Sequence, residues 1–122
     1  MARHAIRPID ESIVTCKTAS VGTTPVAAYC VAPCKGYVVR TYGVLEGTIT
    51  TAPAAISVSV RGGSNIGALS IAVGAAGTAA SDIPSASATA RWVDEGDVIS
   101  FTPSGATGAN IPATFSAVIN RA

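Results

Sequence analysis

The sequence predicts an all-β fold: a single-domain antiparallel β-sandwich of jelly-roll type, preceded by an extended N-terminal arm. Three observations predict it. Short apolar runs alternate with Ser, Thr and Arg at a period of two, which turns one face of each run toward a core. Clusters of Gly, Pro, Ser and Asn separate the runs and supply turns. No window carries apolar residues at helical spacing over a useful length. With 122 residues the chain is one domain long, enough to bury a core without disulfides or metals.

Residues 1–25 carry the one histidine, Pro8 and Pro25, and few core-like residues, so they are assigned to the arm. The sandwich is assigned to residues 26–122. Ser12 to Cys16 and Val26 to Val31 are weak strand candidates. Gly36 to Leu45 is a longer strand rich in aromatic and β-branched residues. In it Val39 shares a face with Tyr37, Val38 with Arg40, and Gly43 is expected to mark a bulge. Ile56, Val58 and Val60 alternate with Ser57, Ser59 and Arg61, and Leu69, Ile71 and Val73 repeat the pattern. Gly62-Gly63-Ser64-Asn65 between them predicts a hairpin. The Ala-rich stretch around 75–90 is cut by Gly77 and Pro84, so a loop is expected there, followed by a strand in which Ala88, Ala90 and Trp92 alternate with Thr89 and Arg91. Gly96-Asp97 opens a strand with Ile99 and Phe101 on one face. Ala113, Phe115, Ala117 and Ile119 form the last strand, tying the C-terminus into a sheet. Seven or eight short strands fit a sandwich. An Ig-like arrangement lacks its Cys…Trp…Cys spacing.

Charged residues make up 12% of the chain and the net charge is +1, against roughly 25% charged residues in an ordinary soluble domain. Interface cores are depleted of charge, so the composition points to oligomerisation or attachment. The basic residues are scattered, without the clustered footprint that phosphate backbones require, and no nucleic-acid partner is expected. No stretch approaches the roughly 20 apolar residues of a membrane span, and no membrane partner is expected. Met1-Ala2-Arg3-His4 is followed by no apolar run, so synthesis in the cytoplasm is expected, with Cys16, Cys30 and Cys34 as reduced thiols.

The residues offer little chemistry. His4 has no sequence neighbour suited to acid–base work, there is no G-x-S-x-G elbow, and no enzyme activity is expected. Cys30-x-x-x-Cys34 with Cys16 and His4 has the ligand types of a Cys₃His zinc site, but the spacing is a weak signature. Small buried thiols are the default, and neither metal nor cofactor is expected. Asp94-Glu95-Gly96-Asp97 lacks the further oxygens of a calcium loop and suits a turn entering a strand. Gly74-Ala75-Ala76-Gly77 and Gly105-Ala106-Thr107-Gly108 are not phosphate loops, since no Lys-Ser/Thr or helix follows them. Trp92 could offer a stacking platform to a sugar, but its phase with Ala88 and Ala90 assigns it to the core.

The order of motifs resembles a known family. An arm leads to Gly36-Tyr37-Val38-Val39-Arg40, then to the hairpin from Ile56 to Gly63, a small-residue loop, and Val93-Asp94-Glu95-Gly96-Asp97-Val98-Ile99-Ser100-Phe101. Over residues 26–122 this resembles the small β-sandwich proteins that decorate or cement the heads of tailed bacteriophages. Related head-fibre domains and trimeric C1q-like jelly rolls share the Gly-Asp turn into a strand. The absence of a collagen-like Gly repeat disfavours a secreted C1q-type protein. The resemblance implies a homo-oligomer, a trimer favoured, on the outer surface of an icosahedral virion. Its partner would be the major capsid protein, whose capsomers it would bridge, and no catalytic residues are inherited. Arg3, His4, Ile6, Arg7 and Ile9 of the arm, and Gly74, Ala75, Ala76 and Gly77, are the expected contact residues. The alternative is a carbohydrate- or receptor-binding sandwich on a virion or cell surface, which needs exposed aromatic rings beside polar groups.

Overall fold

Ile56, Val58 and Val60 point inward from β4 (Ala54–Val60), while Ala55, Ser57 and Ser59 point outward. Arg61 and Gly62 then take positive φ, 56° and 69°, and the Gly63 amide donates to the Val60 carbonyl at 3.0 Å. Positive φ at both central positions matches a two-residue turn to the twist of its strands, and Gly62 adopts it without strain. The chain returns as β5 (Asn65–Ile71), burying Ile66, Leu69 and Ile71. The strand stops there; Val73, expected to extend it, is 45% exposed.

The computed structural model describes residues 11–105 and 110–121. Among them are nine strands and one short helix. In one sheet β1 (Glu11–Thr18), β9 (Ala113–Arg121), β3 (Gly36–Leu45) and β6 (Ala79–Asp82) lie side by side, and β7 (Trp92–Val93) pairs with the start of β3. In the other, β2 (Ala28–Val31), β8 (Val98–Pro103), β4 and β5 lie in that order. All pairings between these strands are antiparallel, and the two sheets form a jelly-roll-like sandwich. Phe101 of β8 and Phe115 of β9 stack across the interior, ring centroids 5.0 Å apart. Ile56, Leu69, Ile71, Ile99 and Ile119 belong to the same buried core cluster.

Three departures from the sequence expectation have physical causes. First, the sandwich begins before residue 26. All eight residues of β1 pair with β9. The following loop is pinned: the Val21 amide donates to the Ile111 carbonyl at 3.0 Å, the Ser20 hydroxyl to Asn110 Oδ1 at 3.0 Å, and Val21 is buried. Residues 1–10 lie outside the described residues. Second, the bulge in β3 falls at Val39, between Val38 and Arg40, and not at Gly43. It turns Arg40 outward although Val38 faces in. Gly43 instead leaves room for Ile71 and Phe115, whose side chains would sit 3.1 Å from a Cβ placed there. Third, Ala88 to Arg91 is helix α1 and not strand. The Ser87 hydroxyl caps it by accepting from the Ala90 amide at 3.3 Å, and Arg91 Nη1 donates to the Val38 carbonyl at 3.2 Å, beside the bulge.

Candidate functional site

The outer faces of the two sheets differ in charge. The strands of the four-stranded sheet contain no charged residue at all. Tyr29 and Val31 of β2, Val98, Ser100 and Thr102 of β8, and Ala55, Ser57 and Ser59 of β4 point away from the core, a consequence of strict alternation with buried neighbours. The pairings Val31–Val98 and Tyr29–Ser100 place an apolar cluster at one edge. There Tyr29 is 64% exposed, Val31 58% and Val98 38%.

The five-stranded sheet carries the contrast. Glu11, Lys17, Arg40 and Arg121 lie on its strands, exposed. Lys17 Nζ meets Glu46 Oε1 at 2.9 Å, and the Thr114 hydroxyl also donates to Glu46. These hydrogen bonds hold the Glu46 carboxyl below the usual carboxylate range, with Thr114 the larger cause. A shallow depression of about 360 Å³ opens beside the Val39 bulge, lined by Ile13, Val118, Tyr42 and Arg40 among others.

At the end of the four-stranded sheet, the Arg61 amide donates to the Val98 carbonyl at 2.9 Å, and its side chain enters a second cleft. Tyr37, Arg61, Thr89 and Trp92 line this space of about 280 Å³. Tyr37 and Trp92 face each other across the β3–β7 pair with rings edge-to-face, centroids 5.0 Å apart. Trp92 is thus half-buried in a cleft wall and not in the core, the short helix having broken its phase with Ala88 and Ala90. Its Nε1 donates to Asp94 Oδ1 at 2.9 Å. Arg61 Nη1 donates to the Trp92 carbonyl and to Asp97 Oδ2, both at 2.8 Å. The Asp94 amide donates to that same Asp97 oxygen at 2.7 Å. The Asp94 amide first, and the Arg61 guanidinium second, hold the Asp97 carboxyl below its usual range. The acidic run is therefore a turn, with Gly96 at φ 91°.

The expected contact loop lies at the opposite end of β3. Gly74 bridges Ile49 through two backbone hydrogen bonds of 2.9 and 3.1 Å, and the Gly77 amide donates to the Leu45 carbonyl at 2.8 Å. Ala75, Ala76 and Gly77 are exposed. Arg3, His4, Ile6, Arg7 and Ile9 lie outside the described residues. Composition hinted at an uncharged surface, but only the strand pairing collects it on one face. The Tyr37–Trp92 cleft depends on a two-residue strand that alternation alone does not reveal.

Cys16 and Cys30 approach each other between β1 and β2, whereas Cys34 sits beside the Ser12 hydroxyl at 3.6 Å. Among the described residues no group of three His, Cys, Asp or Glu side chains is placed to hold a metal ion, and no helix is long and apolar enough to cross a membrane.

No protein-family model and no curated protein matches the chain. Solved structures do. The CBM35 from Cellvibrio japonicus Abf62 superposes with a TM-score of 0.55 at 17% identity, over 92% of this chain and 94% of that one. A family 35 carbohydrate binding module from Clostridium thermocellum gives 0.47 at 19% identity, over 93% of each chain. A chain of the acidic stable capsid structure of Helicobacter pylori bacteriophage KHP30 gives 0.46 at 11% identity, over 88% of this chain and 85% of that one. The likeness is one of fold. It shows a β-sandwich and leaves function to the surfaces.

Proposed function

We propose that the chain is a structural virion protein, made in the host cytoplasm. It acts without catalysis: as a homo-oligomer, a trimer favoured, it binds the outer surface of an icosahedral phage capsid and bridges capsomers of the major capsid protein. The uncharged face of the four-stranded sheet carries this reading, in a chain whose strand charges lie on the other sheet. Docking such a face desolvates no ion, so apolar and hydroxyl groups can be covered without the penalty a buried charge brings. Size also matters. Strands about 4.8 Å apart and about six residues long cover roughly 400 Å². That is about half of the ~800 Å² per partner of a standard interface. One such face makes a weak complex with a single soluble partner. Repeated on a lattice, with several copies joined in an oligomer, the same contact sums to firm attachment. A protein that binds only the mature shell stabilises that shell by its binding free energy.

The Tyr37–Trp92 cleft favours a second function, carbohydrate binding. It sets two aromatic rings beside Arg61 and Thr89, the combination of stacking surface and polar groups that a sugar needs. Co-sedimentation distinguishes the two. The chain is expected to pellet saturably with mature phage shells that lack it, and Trp92→Ala to leave this unchanged. Absence of pelleting, together with glycan binding that Trp92→Ala abolishes, would replace the first function by the second.

A further inference from the structure

Cys16 lies on the inward side of β1 and Cys30 on the inward side of β2. These are edge strands of different sheets: they pack together but share no ladder. Cys16 stands opposite Phe115 in its own sheet and Cys30 opposite Ile99 in the other. Their Sγ atoms are 2.6 Å apart. Non-bonded carbon atoms already rest at about 3.5 Å, and sulfur is larger. A disulfide spans about 2.05 Å. The two side chains thus converge on a single position between the sheets, with no metal-binding group of three around them among the described residues. Cys34 is engaged elsewhere, beside Ser12.

We propose that Cys16 and Cys30 form a disulfide that staples the open β1–β2 seam and locks the two sheets together, leaving Cys34 as the free thiol. The oxidant is a small-molecule disulfide. The half-buried Cys16, as thiolate, attacks one sulfur of that disulfide, forming a mixed disulfide and expelling one small thiolate. The Cys30 thiol loses its proton to solvent and its sulfur attacks Cys16 Sγ, expelling the second small thiolate. Two protein thiols are oxidised and one small disulfide is reduced to two thiols. The order of attack follows from the surroundings. The hydrogen bond donated by Cys30 lowers the pKa of Cys16, whereas that bond, burial and the neighbouring Cys16 charge push Cys30 up. A reducing cytoplasm holds the bond open, so it closes after release from the cell.

The test is oxidation of the full chain with oxidised glutathione, followed by unfolding and alkylation without reductant. The expected product carries a single alkyl group, on Cys34, and a peptide joining Cys16 to Cys30. The bond closes a loop of about 15 residues, so the oxidised form should melt about 10 °C or more above the reduced form. Cys34→Ser should keep the joined peptide and the higher melting temperature while taking up no alkyl group, and Cys16→Ser should lose both the joined peptide and the higher melting temperature. Three alkylated cysteines in oxidised protein that circular dichroism shows to be folded would overturn the proposal. So would a bond that uses Cys34, or a glutathione adduct on Cys16 that does not resolve.

Discussion

Thr41 is buried in the interior side of β3, and its Oγ1 has no hydrogen-bond partner among the described residues. An unpaired hydroxyl in a core costs about 1–3 kcal/mol in protein mutational data. Thr41→Val keeps the shape and removes the polar atom, and should stabilise the fold by about 1 kcal/mol; a urea midpoint at or below that of the wild type would contradict the account. Asp97 illustrates the opposite case, a polar group with its bonds made. Its folded pKa lies below the unfolded value, so its stabilising contribution is complete at neutral pH and is lost as pH falls through the folded pKa, below about 3.8. Asp97→Asn should therefore flatten the fall of the melting temperature between about pH 5 and pH 2. An unchanged acid limb would show that the carboxylate is not held as described. Alternation made Ile56, Val58, Ile99 and Phe115 readable as core, because each faces a neighbour of opposite character in sequence. Thr41 was not readable in this way: the bulge at Val39 shifts the phase of β3, and a bulge depends on the partner strand.

At the level of elements, β1 decides where the domain starts. It forms one edge of the five-stranded sheet, and its removal would expose the β9 ladder and the buried Phe115 and Ile119. A chain starting at residue 11 should keep the cooperative thermal transition, whereas one starting at residue 26 should lose it. Equal transitions in both would restore the longer arm expected from sequence. That expectation erred because Glu11, Thr15 and Lys17 dilute the apolar signal of an edge strand whose inward residues, Ser12, Val14, Cys16 and Thr18, are small or polar. The hairpin between β4 and β5 was legible from its Gly62-Gly63-Ser64-Asn65 cluster, but the turn falls one residue earlier, with Arg61 itself at positive φ, which an arginine does not announce. Helix α1 was missed because four residues hold too little periodicity to outweigh Ala–Thr–Ala–Arg–Trp alternation.

For the molecule as a whole, low charge was visible in composition, but its distribution was not. Alternation assigns residues to faces only within a strand; it is the pairing of β2, β8, β4 and β5 that joins four uncharged strands into one surface. This surface is the centre of the functional account, and charge placed on it tests the account directly. Thr102 and Ser70 are exposed on that face, while Thr15 and Ser81 are exposed on the other sheet. All four positions should accept Glu without unfolding, since exposed substitutions cost about 0.5 kcal/mol or less. Affinity for mature shells, measured by co-sedimentation, is expected to fall about 100-fold or more in Thr102→Glu/Ser70→Glu, about 2.7 kcal/mol or more for charge buried without a partner. Thr15→Glu/Ser81→Glu should stay within about 3-fold of the wild type, because its charges remain in water. Equal binding by the two double variants would contradict the assignment of the uncharged face as the docking surface.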